Sequence, residues 1–410
     1  MKILIVGGGA AGYMAAITAG QSNRDAGIMI VEKSQHLLAK VRVSGGGRCN
    51  VTHRASPPGE FSQNYPRGAR FLKKILYEFG PEDTIEWFES RGVQLKTEAD
   101  GRMFPISDSS SSIIECLERE ASKLSIKIAT RTGVESFSLI EKAGNKMFEV
   151  HFSNETIACF DRVLIATGGY PKTQGFAWIA NHGIKINDPA PSLFTFNSPG
   201  NEIIKLQGVS VPAARVKINT TKLEWTGPLL ITHWGFSGPA VLKLSAWGAR
   251  ILQEKDYHYE ISIQWNSNYD FSEIKEKLMQ LRDMKSRSSI ASNPKFEIPS
   301  RLWAYLVQCS DIKEGQIWAD ISNKTIEKLA LNLSSQVHGI KGKTTFKEEF
   351  VTCGGVDLSE IDHMTMESKK VKGLYFAGEV IDVDGITGGF NFQNAWTTGF
   401  LAGRNMAKDF

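Results

Sequence analysis

The chain has 410 residues, of which 41% are apolar and 22% charged, and its formal net charge is +4 at pH 7. This length exceeds the usual span of one hydrophobic core, so two or three globular domains are expected. No segment reaches the roughly 18 continuous apolar residues that a membrane helix requires. The N-terminus reads as a strand and not as a signal peptide, which predicts a cytoplasmic protein. Because basic and acidic residues are interspersed, the charge does not support a nucleic-acid partner.

The five cysteines are scattered along the chain, and no two of them form a C-x-x-C pair. This spacing argues against a disulfide framework, a thiolate zinc site and a redox-active dithiol. We therefore expect no metal site.

The first 33 residues have the pattern of strand, glycine turn, helix and second strand. Gly7, Gly9 and Gly12 stand in the spacing G-x-G-x-x-G directly after the apolar run 1–6, and Glu32 follows twenty residues after Gly12. This is the dinucleotide-binding fingerprint, in which the glycines admit a pyrophosphate and the acid binds a ribose. The alternative is a glycine turn without a ligand.

A second glycine run, Gly45 to Gly47, lies between Ser44 and the trio Arg48, Cys49 and Asn50. Such a run allows the main chain to pass against a flat or charged ligand, although glycine runs are also common in flexible surface loops. Cys49 fits a close-packed small residue better than a nucleophile, because no second cysteine or histidine adjoins it.

The elements up to residue 190 are expected to alternate between helices and short strands. Helices are predicted at 68–79, 81–91 and 113–124, a hairpin at Asp100-Gly101, and strands from 126 to 167 with a turn at Gly144-Asn145. The last of these strands ends in Ala166-Thr167-Gly168-Gly169. Ligands lie beyond the carboxyl ends of strands in a doubly wound sheet, so this exit is a candidate contact. The alternative is a strand that simply ends at a glycine turn.

The middle of the chain has a different composition after residue 187, where prolines separate short apolar runs. Alternating strands are expected up to Trp265, interrupted by the unusual block 227–245, and helices are expected at 271–287, 299–309 and 323–333.

The C-terminal part returns to a glycine-rich pattern. A strand at 373–376 leads through Gly378 and Glu379 into the loop 382–391, and a helix is predicted at 392–406. Gly388 and Gly389 precede this helix. Its N-terminus therefore faces either an electron-poor ligand or a closely packed sheet without a ligand.

Taken together, six segments resemble one bacterial family, the HI0933-like or BaiN-like NAD(P)/FAD-dependent oxidoreductases. They are Gly7 to Gly12 with Glu32, residues 44–52, 166–169, 232–240, 352–356 and 373–395. The resemblance implies an α/β fold with a Rossmann-like FAD-binding domain built from both chain ends, an inserted β-barrel-like domain and a small helical domain. The implied boundaries are 1–190 with 350–410, 191–268 with 334–349, and 269–333.

The same resemblance implies the cofactor contacts. Gly7 to Gly12 would hold the pyrophosphate, Glu32 the ribose and the backbone of Val134 the adenine. The residues placed at FAD are Gly7, Gly9, Ala10, Ala11, Gly12, Glu32, Lys33, Lys40, Ser44, Gly45, Gly46, Gly47, Arg48, Cys49, Asn50, Val134, Ala166, Thr167, Gly168, Gly378, Glu379, Asp382, Gly388, Gly389, Phe390 and Asn391. Two departures, a short 170–178 segment and His53 in place of asparagine, affect the substrate side.

The implied activity is that of an FAD-dependent oxidoreductase acting on a small organic substrate, with NAD(P)H as an electron donor. His233 is the first candidate for proton transfer, because histidine titrates near neutral pH, but it could instead fix a turn. Arg48 could orient an anionic substrate or form a surface salt bridge. A non-enzymatic electron carrier or redox sensor is one alternative function. A flavin-dependent RNA-modifying protein is another, which would need a basic stripe that the charge pattern does not show. The sequence leaves the oligomeric state open.

Overall fold

The computed structural model describes residues 1–142, 144–344 and 351–408. They form two compact units: the first contains Met1–Ser192 and the C-terminal residues from 351 onwards, and the second contains residues 193–344. The predicted boundary near residue 350 lies outside the described residues, and the three-domain division stays a prediction. Among the described residues, no helix combines the length and apolarity needed to cross a bilayer.

Strands and helices are numbered separately in chain order. The described strands are β1 Lys2–Val6, β2 Gly27–Val31, β3 Thr52–His53, β4 Leu95–Thr97, β5 Arg102–Pro105, β6 Lys127–Ala129, β7 Val134–Lys142, β8 Asn145–Phe152, β9 Ile157–Phe160, β10 Arg162–Ile165, β11 Ile186–Ser192, β12 Thr195–Asn197, β13 Ser210–Ile218, β14 Glu224–Thr232, β15 Gly235–Ser237, β16 His258–Gln264, β17 Gln336–Lys341, β18 Lys343–Thr344, β19 Val351–Val356 and β20 Leu374–Phe376. The described α-helices are α1 Ala10–Ser22, α2 Ala39–Gly47, α3 Pro58–Phe61, α4 Ala69–Ile75, α5 Pro81–Glu89, α6 Ser111–Lys123, α7 Ala177–Ala180, α8 Pro239–Glu254, α9 Phe271–Met284, α10 Ser300–Cys309, α11 Asn323–Ser334 and α12 Phe390–Met406.

The first unit is organised around a five-stranded parallel sheet in the order β20-β10-β1-β2-β6. Ile3, Leu4 and Ile5 in the central strand are fully buried, as expected for a parallel strand covered on both faces. Val6 pairs with Val31 on one side and Ile165 on the other, so three carboxyl ends meet at one edge of the sheet. This confirms the predicted α/β class.

Helices from the two ends of the chain pack tightly against each other. A Cβ placed on Gly399 would lie 2.6 Å from the Ala11 carbonyl oxygen, and one on Gly403 would lie 2.3 Å from that of Ala15. Such distances require glycine, so α12 rests directly on the backbone of α1. The N-terminal and C-terminal segments therefore form one unit, as the resemblance implied.

Three small antiparallel sheets complete the first unit, in the orders β7-β8-β9, β3-β5-β4 and β11-β19. The predicted hairpin at Asp100-Gly101 joins β4 to β5. The predicted turn at Gly144-Asn145 is also present, since Lys142 pairs with Asn145, although residue 143 lies outside the described residues.

The second unit contains a seven-stranded antiparallel sheet in the order β17-β16-β13-β14-β15-β12-β18. Helix α8 packs on it through Ala240, Val241 and Leu244. The strands predicted up to Trp265 are therefore wrong over 246–254, where α8 continues beyond the block 227–245. The start signal was present in the sequence, because Gly238-Pro239 places proline at the first helical position. Helices α9, α10 and α11 follow, and they contribute Leu278, Trp303 and Leu329 to the core that contains the sheet.

Other helix bounds differ by a few residues from those predicted. Helix α4 ends at Ile75, α5 at Glu89 and α9 at Met284, each earlier than expected. Helix α6 begins at Ser111 and α12 at Phe390, each two residues earlier than expected. Gly389 is the N-cap of α12 with φ 93°, so the helix starts directly after the second glycine of the loop.

Candidate dinucleotide-binding site

The first glycine turn brings the ends of two strands together. Gly7 has φ +116°, and a Cβ on it would lie 2.3 Å from the Ala166 carbonyl oxygen at the exit of β10. A Cβ on Gly12 would lie 2.0 Å from the Gly7 carbonyl oxygen. These two glycines are therefore required by packing.

Gly9 differs from Gly7 and Gly12 because no protein atom lies close beside it. A Cβ on Gly9 would meet no atom within 4 Å, and as the N-cap of α1 it supplies no side-chain hydrogen bond. The N–H groups of Ala10 and Ala11 in the first helical turn have no intrahelical acceptor. An open helix N-terminus beside open space is a site for an anion such as a phosphate.

The Glu32 carboxylate closes the other side of this turn. It accepts hydrogen bonds from the Gly8 N–H at 3.0 Å and the Ser34 N–H at 2.9 Å. Each oxygen keeps further lone pairs, which a ribose hydroxyl could use. The neighbouring Lys33 lies 5.8 Å from the ring centre of Tyr170.

The C-terminal motif reaches the same turn from the opposite side. A Cβ on Gly378 would lie 2.9 Å from the Ala11 methyl group. The next residue, Glu379, pairs with Lys40 at 2.5 Å and accepts the Thr352 N–H at 3.0 Å. The structure thus brings Lys40 and Glu379 together beside the first turn of α1.

The second glycine run lies at the end of α2 and is not helical. Ser44, Gly45 and Gly46 interrupt the helix, and Gly45, Gly46 and Gly47 all have positive φ. A Cβ on Gly46 or Gly47 would meet no atom within 4 Å. The main chain is therefore exposed along one edge, as the prediction of a ligand-facing run requires.

The polar trio after this run is largely occupied by protein contacts. Arg48 pairs with Glu98 at 2.7 Å and stacks on Phe104 at 3.9 Å, so it forms the salt bridge weighed above as an alternative. Cys49 is fully buried at φ 62°, and burial raises the pKa of its thiol to about 12. A thiol with that pKa is not a nucleophile near neutral pH.

Asn50, the last residue of the trio, contacts the C-terminal glycine loop. In its hydrogen-bonding orientation, the Asn50 amide oxygen accepts the Gly389 N–H at 2.9 Å.

The loop before α12 is held by its own side chains. The Asn391 amide exchanges two hydrogen bonds with the main chain of Gly385, at 2.8 and 2.9 Å. Asp382 accepts the Gly354 N–H at 2.8 Å. His53 hydrogen bonds to the Gly388 carbonyl at 3.0 Å and stacks on Phe390 at 4.8 Å. These contacts fix the shape of the loop.

The remaining predicted contacts lie in the first unit. Ala166, Thr167 and Gly168 follow β10, and a Cβ on Gly168 would meet no atom within 4 Å. Val134 is half-buried at the start of β7. Their contact with a cofactor stays a prediction.

His233 belongs to the second unit. Thr232 pairs with Gly235, so His233 and Trp234 form the two-residue turn between β14 and β15. The His233 side chain is exposed, with its ring 4.2 Å from that of Trp234.

Sequence reasoning missed a buried ion pair between Arg67 and Asp384, to which Ser192 also contributes. Asp384 stands in the motif that was assigned to the cofactor, but its partners lie far away in sequence. The charged Arg67 gave no signal of burial, since arginine is mostly found at surfaces.

A family model described as the HI0933-like protein Rossmann domain matches residues 1–405. The chain belongs to the HI0933-like family. This is a family of flavoprotein oxidoreductases, which confirms the resemblance and the expected enzyme class.

Two curated relatives match this HI0933-like chain over nearly its full length. A 3-dehydro-bile acid delta(4,6)-reductase of Clostridium scindens is 29% identical and covers 99% of both chains. A ribosomal RNA dihydrouridine synthase of Escherichia coli is 30% identical over 98% of this chain and 97% of its own.

Solved structures share the fold of this HI0933-like protein. A 3-ketosteroid delta1-dehydrogenase from Sterolibacterium denitrificans has a TM-score of 0.52 at 12% identity and covers 99% of both chains. A 3-ketosteroid-delta4-(5alpha)-dehydrogenase from Rhodococcus jostii has a TM-score of 0.51 at 11% identity, over 99% of this chain and 96% of its own.

Proposed function

We propose that the first unit binds FAD and that the protein reduces a carbon–carbon double bond conjugated to a carbonyl group. The FAD assignment is supported by the open space beside Gly9 at the uncapped N-terminus of α1. Family membership supports it independently. The residues present therefore fit a flavin dinucleotide.

The proposed reaction class rests on a feature that the substrates of the two relatives share, a carbon–carbon double bond conjugated to a carbonyl group. The bile acid reductase acts on a 3-oxo compound with double bonds at positions 4 and 6. Dihydrouridine is made by saturating the 5,6 bond of uridine, which is conjugated to a ring carbonyl. Saturation of such a bond by a flavin would add a hydride to its electron-poor carbon and a proton to the neighbouring carbon.

The residues of the first unit would bind and orient the cofactor. The N–H groups at Gly9 to Gly12 would hold the pyrophosphate, and Glu32 would bind the ribose. The N-terminus of α12 would lie at the pyrimidine side of the ring, where negative charge develops. When bound, the flavin supplies hydride transfer, with NAD(P)H as the proposed electron donor.

The proton requires a separate donor. His233 is our candidate, because its imidazole is exposed at the turn between β14 and β15 and histidine is the side chain most often used as a general acid. Among residues 1–142, 144–344 and 351–408, no cluster of metal-ligating side chains is found.

The test is an anaerobic absorbance titration of the purified protein. We expect a yellow protein that NADH or NADPH bleaches and that a steroid-type enone reoxidises over many turnovers. A colourless protein that takes up no FAD would overturn the cofactor assignment. A flavin that only another protein can reduce would support the electron-carrier alternative instead.

A second candidate substrate is uridine in RNA. Residues 193–344 contain 19 basic and 14 acidic residues, whereas the rest of the chain contains 29 and 30, so the second unit carries the excess positive charge. Positive charge favours an RNA backbone, and one relative is named for modifying ribosomal RNA. Incubation of the reduced protein with uridine-containing RNA, followed by mass analysis for a gain of two hydrogens, separates this candidate from a free enone.

A further inference from the structure

The loop that leads into α12 contains one partner of a buried ion pair. The Asp384 side chain is 0% exposed, and its two oxygens accept parallel hydrogen bonds from the Arg67 guanidinium, one of them from Nε at 2.5 Å. The Ser192 hydroxyl donates to the same carboxylate at 2.8 Å. Burial raises the pKa of Asp384 even beside this cation. The pair is the bidentate kind that fixes direction as well as distance.

The ion pair also attaches the loop before α12 to the rest of the first unit. Asp384 belongs to the loop 382–389 between β20 and α12, and the main chains of Arg67 and Asp384 also form an isolated β-bridge. Two residues earlier, Asp382 accepts the Asn187 amide at 2.8 Å. Two side chains of this short loop are therefore fastened to β11, which contains both Asn187 and Ser192.

The attachment of loop 382–389 to β11 would affect a ligand bound at the end of the loop, beside the N-terminus of α12. Gly388 and Gly389 lie four and five residues after Asp384, and Gly389 is the N-cap of α12. The partial positive charge of a helix N-terminus acts over only about its first turn. A small displacement of the loop would therefore change the field at a bound ring.

We propose that Arg67 is a positioning residue for the flavin. Through Asp384 it holds loop 382–389, and with it the N-terminus of α12, in the position from which the helix N-terminus would face the bound isoalloxazine ring. This inference rests on the FAD site proposed above. It is distinct from a role in folding alone, since a merely structural pair would leave the affinity and potential of the flavin unchanged in every variant that folds.

The experiment compares four proteins. Arg67→Met removes the cation, Arg67→Lys keeps the charge without the two parallel hydrogen bonds, and Asp384→Asn removes the opposite charge. Arg404→Gln is the matched control, because Arg404 lies in α12 itself and pairs with Glu78 at 2.9 Å on the protein surface. FAD affinity is measured by titrating the apoprotein, the flavin reduction potential by dye equilibration, and folding by the thermal midpoint.

We expect Arg67→Met to weaken FAD binding by about tenfold or more, since it leaves a buried carboxylate without its cation. The potential should become more negative, because a displaced helix N-terminus stabilises the reduced ring less. Arg67→Lys should lie between Arg67→Met and the wild type in both measurements, and Arg404→Gln should match the wild type.

Two other results can be told apart. Wild-type affinity and potential in folded Arg67→Met or Asp384→Asn, with only the thermal midpoint lowered, would overturn the positioning role and leave the FAD site intact. A wild-type protein that binds no FAD would instead remove the proposed function on which the role rests. If Arg67→Met does not fold, Arg67→Lys and Asp384→Asn carry the same comparison, and an unchanged potential in both would reject the proposal.

Discussion

The Gly403 Cα in α12 lies against the Ala15 carbonyl of α1 so closely that an added Cβ would stand 2.3 Å from the oxygen. Real Cβ atoms do not approach backbone oxygens at that distance. The contact joins residues almost four hundred positions apart, and it is one of the points at which α12 packs on the backbone of α1.

Gly403→Ala should therefore destabilise the protein. Alanine favours a helix over glycine by about 1 kcal/mol, but the clash with Ala15 should cost about 1 to 3 kcal/mol and outweigh it. Thermal unfolding measures the balance. Gly339→Ala is the control, because its Cβ would meet no atom within 4 Å. A Gly403→Ala protein as stable as wild type would contradict the packing described.

Gly9→Ala should separate ligand binding from folding. Gly9 has φ −96° and ψ −170°, which alanine adopts without strain, and its Cβ would enter open space. The apoprotein should unfold within about 0.5 kcal/mol of wild type. Its affinity for FAD should fall at least about tenfold, because the methyl group occupies the proposed pyrophosphate position. Titration of the apoprotein with FAD measures the effect.

The neighbouring position supplies the contrast to Gly9→Ala. A Cβ on Gly12 would lie 2.0 Å from the Gly7 carbonyl oxygen, so Gly12→Ala should lower the thermal midpoint of the apoprotein itself. If Gly9→Ala and Gly12→Ala had the same apoprotein thermal midpoint and the same affinity for FAD, this would be evidence against a ligand at Gly9.

His233→Asn should slow turnover by about 10² to 10⁴ if His233 donates the proton, a typical contribution of general acid catalysis. Its thermal midpoint should not change, since the side chain is exposed. His258 is an exposed histidine of the same unit, and His258→Asn should leave turnover unchanged. Rapid-mixing measurement of flavin reoxidation by an enone reports the step, and an unimpaired rate in His233→Asn would remove His233 from the mechanism.

The second unit should lose stability in mild acid because of His338. This side chain is 3% exposed, and burial lowers its pKa from 6.5 to about 4. Above pH 6.5 it is neutral in both the folded and the unfolded chain. As the pH falls from 6.5 towards 4, only the unfolded chain gains the proton, so up to about 3 kcal/mol of stability is lost.

His338→Gln should remove that part of the pH dependence. Denaturant unfolding at pH 7 and pH 4.5 gives the change in free energy of unfolding for each protein. The difference between the two pH values should be smaller in the variant than in wild type, whatever the variant's stability at pH 7. An identical pH dependence would show that His338 takes up its proton equally well in the folded chain.

The parallel sheet and the glycine turn could be read from the sequence because their signals are local. The apolar runs at 2–6 and 27–31, separated by Gly7, Gly9 and Gly12, allow few other structures. The same holds for the C-terminal strand and helix. Helix α8 was missed because its apolar residues continue directly from β14 and β15, and only Gly238-Pro239 marks the change.

The buried contacts of the candidate site could not be predicted, because they depend on tertiary structure. Arg48 was a candidate for substrate binding, but Glu98 and Phe104 occupy it after a separation of about fifty residues. Asn391 was predicted to lie near the ring, which stays a prediction, and the bond of its side chain to Gly385 had no signal in the sequence. The partnership of Arg67 with Asp384 spans more than three hundred positions and has no periodic signature.

The order of the parallel sheet has a consequence for biosynthesis. Strand β10 emerges from the ribosome long before β20, its partner at the edge of the sheet, and α1 long before α12. Until residue 374 has been made, one side of β10 is an open edge and the groove over Ala11 and Ala15 is uncovered. An unpaired edge of this kind invites association between nascent chains, so this stage of translation is where a chaperone would have the most to protect.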